Sequence, residues 1–249
     1  MRTVALCGFK KSGKTSLIAL VAAALEQKGL RAGIVKFCHH PLDKAHTDTF
    51  QLAAPKRAVI GAAPGETAVF MPWELSLPQM AASIQADALL VEGGKKLGIL
   101  PRILCLKTGD REEFAALAGS REGSPRGLTL ATVGARPADL VVPHFSGATP
   151  ETAEALAGIV MNRGFLLPGM DCGACGQKNC AALAKNIVSG EASPDDCAVL
   201  HAPIRVNAGG SDLPLNPFVA AMLSGGVRGM LQSLKGIQQG RKIILELDM

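Results

Sequence analysis

Gly8-Phe9-Lys10-Lys11-Ser12-Gly13-Lys14-Thr15 meets the pattern Gly-x-x-x-x-Gly-Lys-Ser/Thr at every required position. Its flanks agree with it. The apolar run Thr3-Val4-Ala5-Leu6-Cys7 comes before, and Leu17, Leu20, Val21, Ala24 and Leu25 follow at helical spacing, with Gly29 as a stop. A strand, a glycine-bounded loop and a helix in that order form a cradle for phosphate. Gly8, Lys11, Ser12, Gly13, Lys14, Thr15 and Ser16 turn their backbone N–H groups inward. The helix adds about half a positive charge at its N-terminus. Lys14 neutralises the terminal phosphates, and the Thr15 hydroxyl is placed for Mg2+.

Residues 32–37 read as an apolar strand interrupted by Lys36 alone, the pattern of a parallel strand covered on both faces. With the preceding elements they make a right-handed βαβ unit. The fold class is therefore α/β: a P-loop NTPase with a mostly parallel sheet and flanking helices. Residues 38–49 leave the end of that strand where open α/β sheets bind ligands. Asp43 and Asp48 are within the segment that reaches Mg2+, and Asp48 is the stronger active-site candidate. His39, His40 and His46 have the chemistry for zinc or nickel, or belong to an ordinary polar loop. Residues 58–62 and 67–71 around Pro64-Gly65 read as a hairpin, and Ser76 with Gln79 as a helix cap. Ala88-Leu89-Leu90-Val91-Glu92-Gly93-Gly94 is a buried strand ending in a carboxylate. Paired with the phosphate loop, Glu92 becomes a candidate for a Mg2+ water or a general base, while Asp87 marks the far end of the strand.

Further strands are expected at 103–106, 128–133 and 140–142. Lys107-Thr108-Gly109-Asp110 is a poor match to a guanine-reading element and a better one to a cap for a helix over 114–117. Thr149-Pro150 opens a helix to about Asn162. Residues 164–169 read as a boundary, giving a nucleotide domain over 1–163, a cysteine domain over 164–200 and an α+β tail over 201–249.

The cysteine domain carries Cys172, Cys175, Cys180 and Cys197, spaced Cys-x2-Cys-x4-Cys-x16-Cys. Four thiolates suit a tetrahedral zinc or an iron–sulfur cluster. Three close cysteines and one remote one favour a 4Fe–4S cluster, closed after a short helix over 181–189. Gly173 and Gly176 free backbone N–H groups to face the sulfurs. In the tail, residues 204–206 and 213–215 flank a hairpin turn, and Asn216-Pro217 opens a helix. That helix keeps its period through Gly225-Gly226, which implies the close approach of another backbone or of the cluster. A last strand is expected at 242–247.

Composition narrows the partners. Tyr is absent and Trp occurs once, which argues against stacking platforms for single-stranded nucleic acid. A net charge of +5 without a basic block suits small anions better than a duplex. No apolar run approaches the ~18 residues that span a bilayer, and Met1 leads straight into a strand with no charged leader, so a cytoplasmic protein is expected. That compartment argues against structural disulfides. Cys7, Cys38 and Cys105 sit in apolar runs and read as buried core thiols.

Together the stretches at 8–15, Val-Lys-Phe-Cys-His-His at 35–40, Asp-Lys-Ala-His-Thr-Asp-Thr at 43–49 and Leu-Leu-Val-Glu-Gly-Gly-Lys at 89–95 resemble the molybdopterin-guanine dinucleotide biosynthesis adaptor family, MobB, over about residues 1–162. Phe37 and Gly94 depart from the family's usual His and Phe. Residues 166–197 resemble a small four-cysteine 4Fe–4S domain of electron-transfer subunits. The first resemblance implies GTP and Mg2+ binding, slow hydrolysis, and assistance to a MobA-type guanylyltransferase. It also implies a homodimer, and service to a molybdenum or tungsten apoenzyme. Lys14, Asp48 and Glu92 then carry any catalysis, and Thr15, Asp48 and Glu92 the Mg2+. No arginine is identifiable as a finger, so turnover is expected to be slow. The alternative reading is a nucleotide-driven iron–sulfur electron-transfer protein.

Overall fold

The computed structural model describes residues 1–38, 40–44, 46–107, 125–136, 141–208, 211–213 and 215–234. Strand β1 (Arg2–Gly8) is fully buried after its first residue and sends Val4 and Leu6 to one apolar cluster and Ala5 and Cys7 to another. Alternation along one strand thus fixes two covered faces. Helix α1 (Lys14–Gln27) follows, and its Leu17, Ile18, Val21 and Leu25 pack on the Val4–Leu6 face. The chain continues through β2 (Ala32–Lys36), the short α2 (Asp48–Leu52) and a hairpin of β3 (Val59–Ala63) with β4 (Glu66–Phe70). Helix α3 (Leu77–Ala82) begins with the reciprocal Ser76–Gln79 capping box read from the sequence, and it packs on the Ala5–Cys7 face.

Next come β5 (Ala88–Glu92), β6 (Arg102–Leu106), β7 (Thr129–Gly134), β8 (His144–Phe145) and α4 (Pro150–Arg163). The main sheet has the order β2-β5-β1-β6-β7-β8, and each neighbouring pair is parallel. Helix α4 lies beside α1 on the Val4–Leu6 face through Ala153, Leu156, Ala157 and Val160. Helix α5 (Cys180–Ser189), a hairpin of β9 (Val206–Ala208) with β10 (Ser211–Leu213) and helix α6 (Pro217–Gln232) complete the described chain. The α/β class with its parallel sheet is as the sequence implies, and among the described residues no helix is long and apolar enough to cross a membrane.

Four local expectations need correction. Strand β2 is an edge strand, so Ile34 is 49% exposed rather than covered on both faces. The strand ends at Lys36, and Cys38 beyond it is exposed, unlike the buried Cys7 and Cys105. The strand expected at 140–142 is instead His144–Phe145, with Val141 fully exposed; residue 140 lies outside the described residues. Among the described residues nothing comes within 4 Å of a side chain placed at Gly225 or Gly226, so no close backbone explains them. The expectations for 108–110, for a helix at 114–117 and for a strand at 242–247 fall outside the described residues.

The segment read as a boundary is part of the packing. Phe165 N–H donates to Thr3 O at 3.0 Å, and Leu167 N–H donates to Ile99 O at 2.9 Å. Both side chains are buried with Leu128, Leu183 and Ala184, and with two of the four clustered cysteines, Cys180 and Cys197.

Candidate functional site

The phosphate loop owes its shape to backbone that few residues adopt. Gly13 has φ 79° and Lys11 φ 63°, which curls the chain between β1 and α1. A side chain on Gly8 would collide with the Cys105 carbonyl and with Ser12 Oγ, so β6 can lie against the loop only because Gly8 has none. No side chain caps α1 at Gly13 and no acidic residue stands in its first turn, an arrangement that suits an anion at the helix N-terminus.

Lys14 Nζ donates to Phe9 O at 2.6 Å and to Ser12 Oγ at 3.4 Å, folding its ammonium back over the loop. Thr15 Oγ1 donates to Glu92 Oε1 at 3.0 Å, while Glu92 Oε2 pairs with Lys36 Nζ at 3.1 Å. Parallel pairing of β1 with β5 sets Leu6 opposite Glu92 and so delivers the carboxylate to the loop. A hydroxyl and a carboxylate oxygen side by side at the foot of a phosphate cradle are a hard-oxygen donor pair for Mg2+. The donors fit the ion.

The structure brings Lys14, Thr15 and Glu92 together and does not tie Asp48 to them. Asp48 opens α2 with its side chain exposed, and among the described residues it has no hydrogen-bond or ion-pair partner. The loop before it is held by Thr47, whose hydroxyl donates to Asp43 Oδ1 at 2.8 Å and accepts from Phe50 N–H at 3.2 Å. His40 and His46 are exposed, and His39 lies outside the described residues. Two residues went unassigned in the sequence. Lys36 had one signal, being the sole charge in an apolar strand. Lys95, whose Nζ lies 3.9 Å from the centroid of the Phe9 ring, had none that local pattern shows.

Two thiols sit behind the loop. Cys7 Sγ donates to Gly93 O at 3.0 Å, and burial pushes its thiol up. Burial pushes Cys105 up to about 12, so it stays a neutral thiol. They belong to opposite faces of the sheet and serve as packing.

Cys172, Cys175, Cys180 and Cys197 line one concavity together with Leu183 and Met170. Cys172 and Cys175 come from the turn before α5, Cys180 begins α5, and Cys197 follows the 3-10 turn Pro194–Asp196. Gly173 (φ 69°) and Gly176 (φ 78°) supply the reversals between the first three, and Gly176 N–H closes on Gly173 O at 2.9 Å. Asp171 Oδ1 accepts from Cys180 N–H at 2.7 Å, and Asn179 caps α5 at Ala182 N–H. Cys180 and Cys197 are buried, Cys175 is half-buried and Cys172 is exposed. Burial pushes the Cys180 thiol up; the backbone N–H groups of Asp171 and Gly169 act in the opposite sense, and the Asp171 carboxylate acts with burial.

Among the described residues, no three His, Cys, Asp or Glu side chains form a group suited to a metal ion. The four thiols line one small concavity. A structural zinc draws its sulfurs to about 2.3 Å from one centre. A 4Fe–4S cluster takes its four thiolates on a larger body. Four cysteines lining one concavity supply a thiolate donor set whose chemistry fits an iron–sulfur cluster.

Comparison with known proteins agrees with both halves. Residues 3–121 match the family "Molybdopterin guanine dinucleotide synthesis protein B", MobB, and residues 167–199 match the family "Putative Fe-S cluster". A "Putative molybdopterin-guanine dinucleotide biosynthesis adapter protein" of Methanocaldococcus jannaschii is 26% identical over 260 residues, covering 100% of this chain and 98% of its own length. The crystal structure of MobB from Bacillus subtilis aligns with a TM-score of 0.49 at 20% identity, over 65% of this chain and 99% of that one. A MobB homologue from Bacillus stearothermophilus aligns at 0.45 and 22%, over 65% and 97%.

Proposed function

We propose, from the union of a MobB-type domain over residues 3–121 with an iron–sulfur domain over 167–199, that this homologue of molybdopterin-guanine dinucleotide biosynthesis adapters binds GTP with Mg2+ and carries a 4Fe–4S cluster. The observation that carries the reading is the meeting of Lys14, Thr15 and Glu92 at the phosphate loop, in a chain similar to one such adapter over its whole length. The backbone N–H groups from Gly8 to Ser16 bind the phosphates, and Lys14 balances their charge. Thr15 and Glu92 would hold Mg2+, which supplies charge neutralisation between the terminal phosphates. Lys36 fixes the Glu92 carboxylate at the loop through the other oxygen. Asp48 stands as a further candidate to position Mg2+ or its water, carried in by the loop that Thr47 and Asp43 brace. Turnover is slow, and the protein serves as an adaptor rather than an efficient enzyme.

Its partner is a MobA-type guanylyltransferase, and a molybdenum or tungsten apoenzyme is the further client. A homodimer is supported by the open edge of β2, where Ile34 is exposed. Competitive titration of GTP and ATP, with and without Mg2+, tests the nucleotide half. GTP is expected to bind at least tenfold tighter, about 1.4 kcal/mol. Equal or tighter ATP binding, or protein that stays iron-free after oxygen-free purification, sinks the reading.

A further inference from the structure

Residues 93–101 join β5 to β6 without a helix between them, and they touch both candidate sites. At the phosphate end, Gly93 N–H donates to Leu6 O at 3.1 Å, and Gly93 O accepts from Cys7 Sγ at 3.0 Å. Lys95 then lies over the Phe9 ring, and Phe9 O is the acceptor that Lys14 Nζ holds at 2.6 Å. At the cysteine end, Gly98 abuts helix α5 so closely that a Cβ there would stand 2.9 Å from Ala181 Cβ, one residue from Cys180. Ile99 O receives Leu167 N–H at 2.9 Å, and the Ile99 side chain packs into the apolar cluster that contains Cys175, Cys180 and Cys197.

The middle of the segment is pinned from beneath. Arg102 is 1% exposed and donates from one terminal nitrogen to Lys95 O at 3.0 Å and from the other to Leu97 O at 2.7 Å. Among the described residues no carboxylate pairs with it, and its Nε has no partner. A buried guanidinium without an acid is costly to keep. A hydrophobic residue at that position fills the core at less cost but leaves the two carbonyls unbound. The feature that only the guanidinium supplies here is a rigid tie on residues 95 and 97.

We propose that residues 93–101 form a strap that couples the phosphate site to the cluster site, with Arg102 as the positioning residue that keeps it taut. The proposal rests on the reading that the chain binds both GTP and a cluster. A triphosphate draws the Lys14 ammonium off the Phe9 carbonyl. Phe9 carries Lys95 with it, and a segment held by hydrogen bonds and close packing at both ends passes the displacement on instead of absorbing it. The displacement arrives at Ala181 and Leu167, beside Cys180. By linkage the effect is reciprocal, so the electron count of the cluster alters nucleotide affinity by the same factor.

The test uses the full chain loaded with its cluster under anaerobic conditions, with iron and sulfide counted. Affinity for a non-hydrolysable GTP analogue is measured with the cluster oxidised and again after reduction by dithionite. The expected result is at least about a fivefold difference between the two states. Equivalently, saturating analogue moves the midpoint potential by about 40 mV, at about 59 mV per tenfold for one electron. Gly98→Ala keeps iron content and analogue binding and cuts the difference to less than about twofold, because it lifts the strap from α5. Arg102→Met does the same if it folds, and Gly98→Ala carries the test alone if it does not. Full iron and tight binding with equal affinities in both states overturn the coupling, as does undiminished linkage in Gly98→Ala. Failure to bind the analogue, or protein without iron, is visible in the titration and the iron count. Either one overturns the underlying reading and the coupling with it.

Discussion

The two candidate sites are made of different material. The phosphate loop is built from backbone at the ends of buried strands, and its side chains add charge to a shape that β1, β5 and β6 already impose. The cysteine site is built from side chains on turns, and its shape comes from two glycine reversals, one carboxylate and an apolar cluster that includes Leu128, Phe165 and Leu167. A site of the first kind is fixed by the fold and waits for its ligand. One of the second kind leans on its neighbours until a cluster ties its four corners. The contrast is chemical, and Phe165, Leu167 and Leu128 pack with Cys180 and Cys197 in one apolar cluster.

The largest effect tests that shared packing. Phe165→Ala is expected to cost about 3–5 kcal/mol, since the ring is buried between the sheet and α5. Denaturant unfolding should show both halves weakened in one transition. A loss confined to the cysteine domain would restore the picture of two independent units. Next in size, Lys14→Ala should weaken nucleotide binding about a hundredfold, close to 3 kcal/mol for the loss of charge-assisted bonds, and leave the iron count intact. Cys175→Ala should do the converse, losing iron while nucleotide binding stays within about tenfold. Either variant losing both properties with its fold intact would break the comparison.

The smallest effect lies at the far end of the sheet. Asp87 Oδ2 accepts from Arg31 N–H at 2.8 Å, and that bond, with the Arg31 side chain, holds the carboxyl below its usual range. A depressed folded pKa gives stability that is present above the unfolded value, about 3.9, and is lost as pH falls through the folded value. Asp87→Asn should therefore lower the Tm slightly at pH 7, and the gap from the parent chain should close in acid. A gap that stays constant with pH would assign the effect to lost packing instead of charge.

Much of this was legible in the sequence where the signal is short-ranged. The phosphate loop, the strand ending at Glu92, the Ser76–Gln79 cap and the four-cysteine spacing each lie within one element or one turn. What was not legible depends on strand order and on who packs against whom. Ile34 looked covered because its strand is apolar, but β2 is at the edge. Cys38 looked buried because its neighbours are apolar, but the strand stops two residues earlier. Lys95 and Arg102 gave no local sign of their roles, since a cation over Phe9 and a guanidinium beneath a strap exist only once β5 and β6 flank β1. Asp48 follows the sheet edge in sequence, yet at the start of the short α2 its carboxylate has no partner among the described residues.

The shared apolar cluster under α5 has a consequence for the life of the protein in air. Cys180 and Cys197 stand among the same side chains that cover Leu128, the residue before β7. Oxygen that dismantles the iron would therefore do more than erase a colour. It would unfasten a lid of oily residues from the flank of the nucleotide domain, and damaged molecules would become known by their tendency to cling to one another.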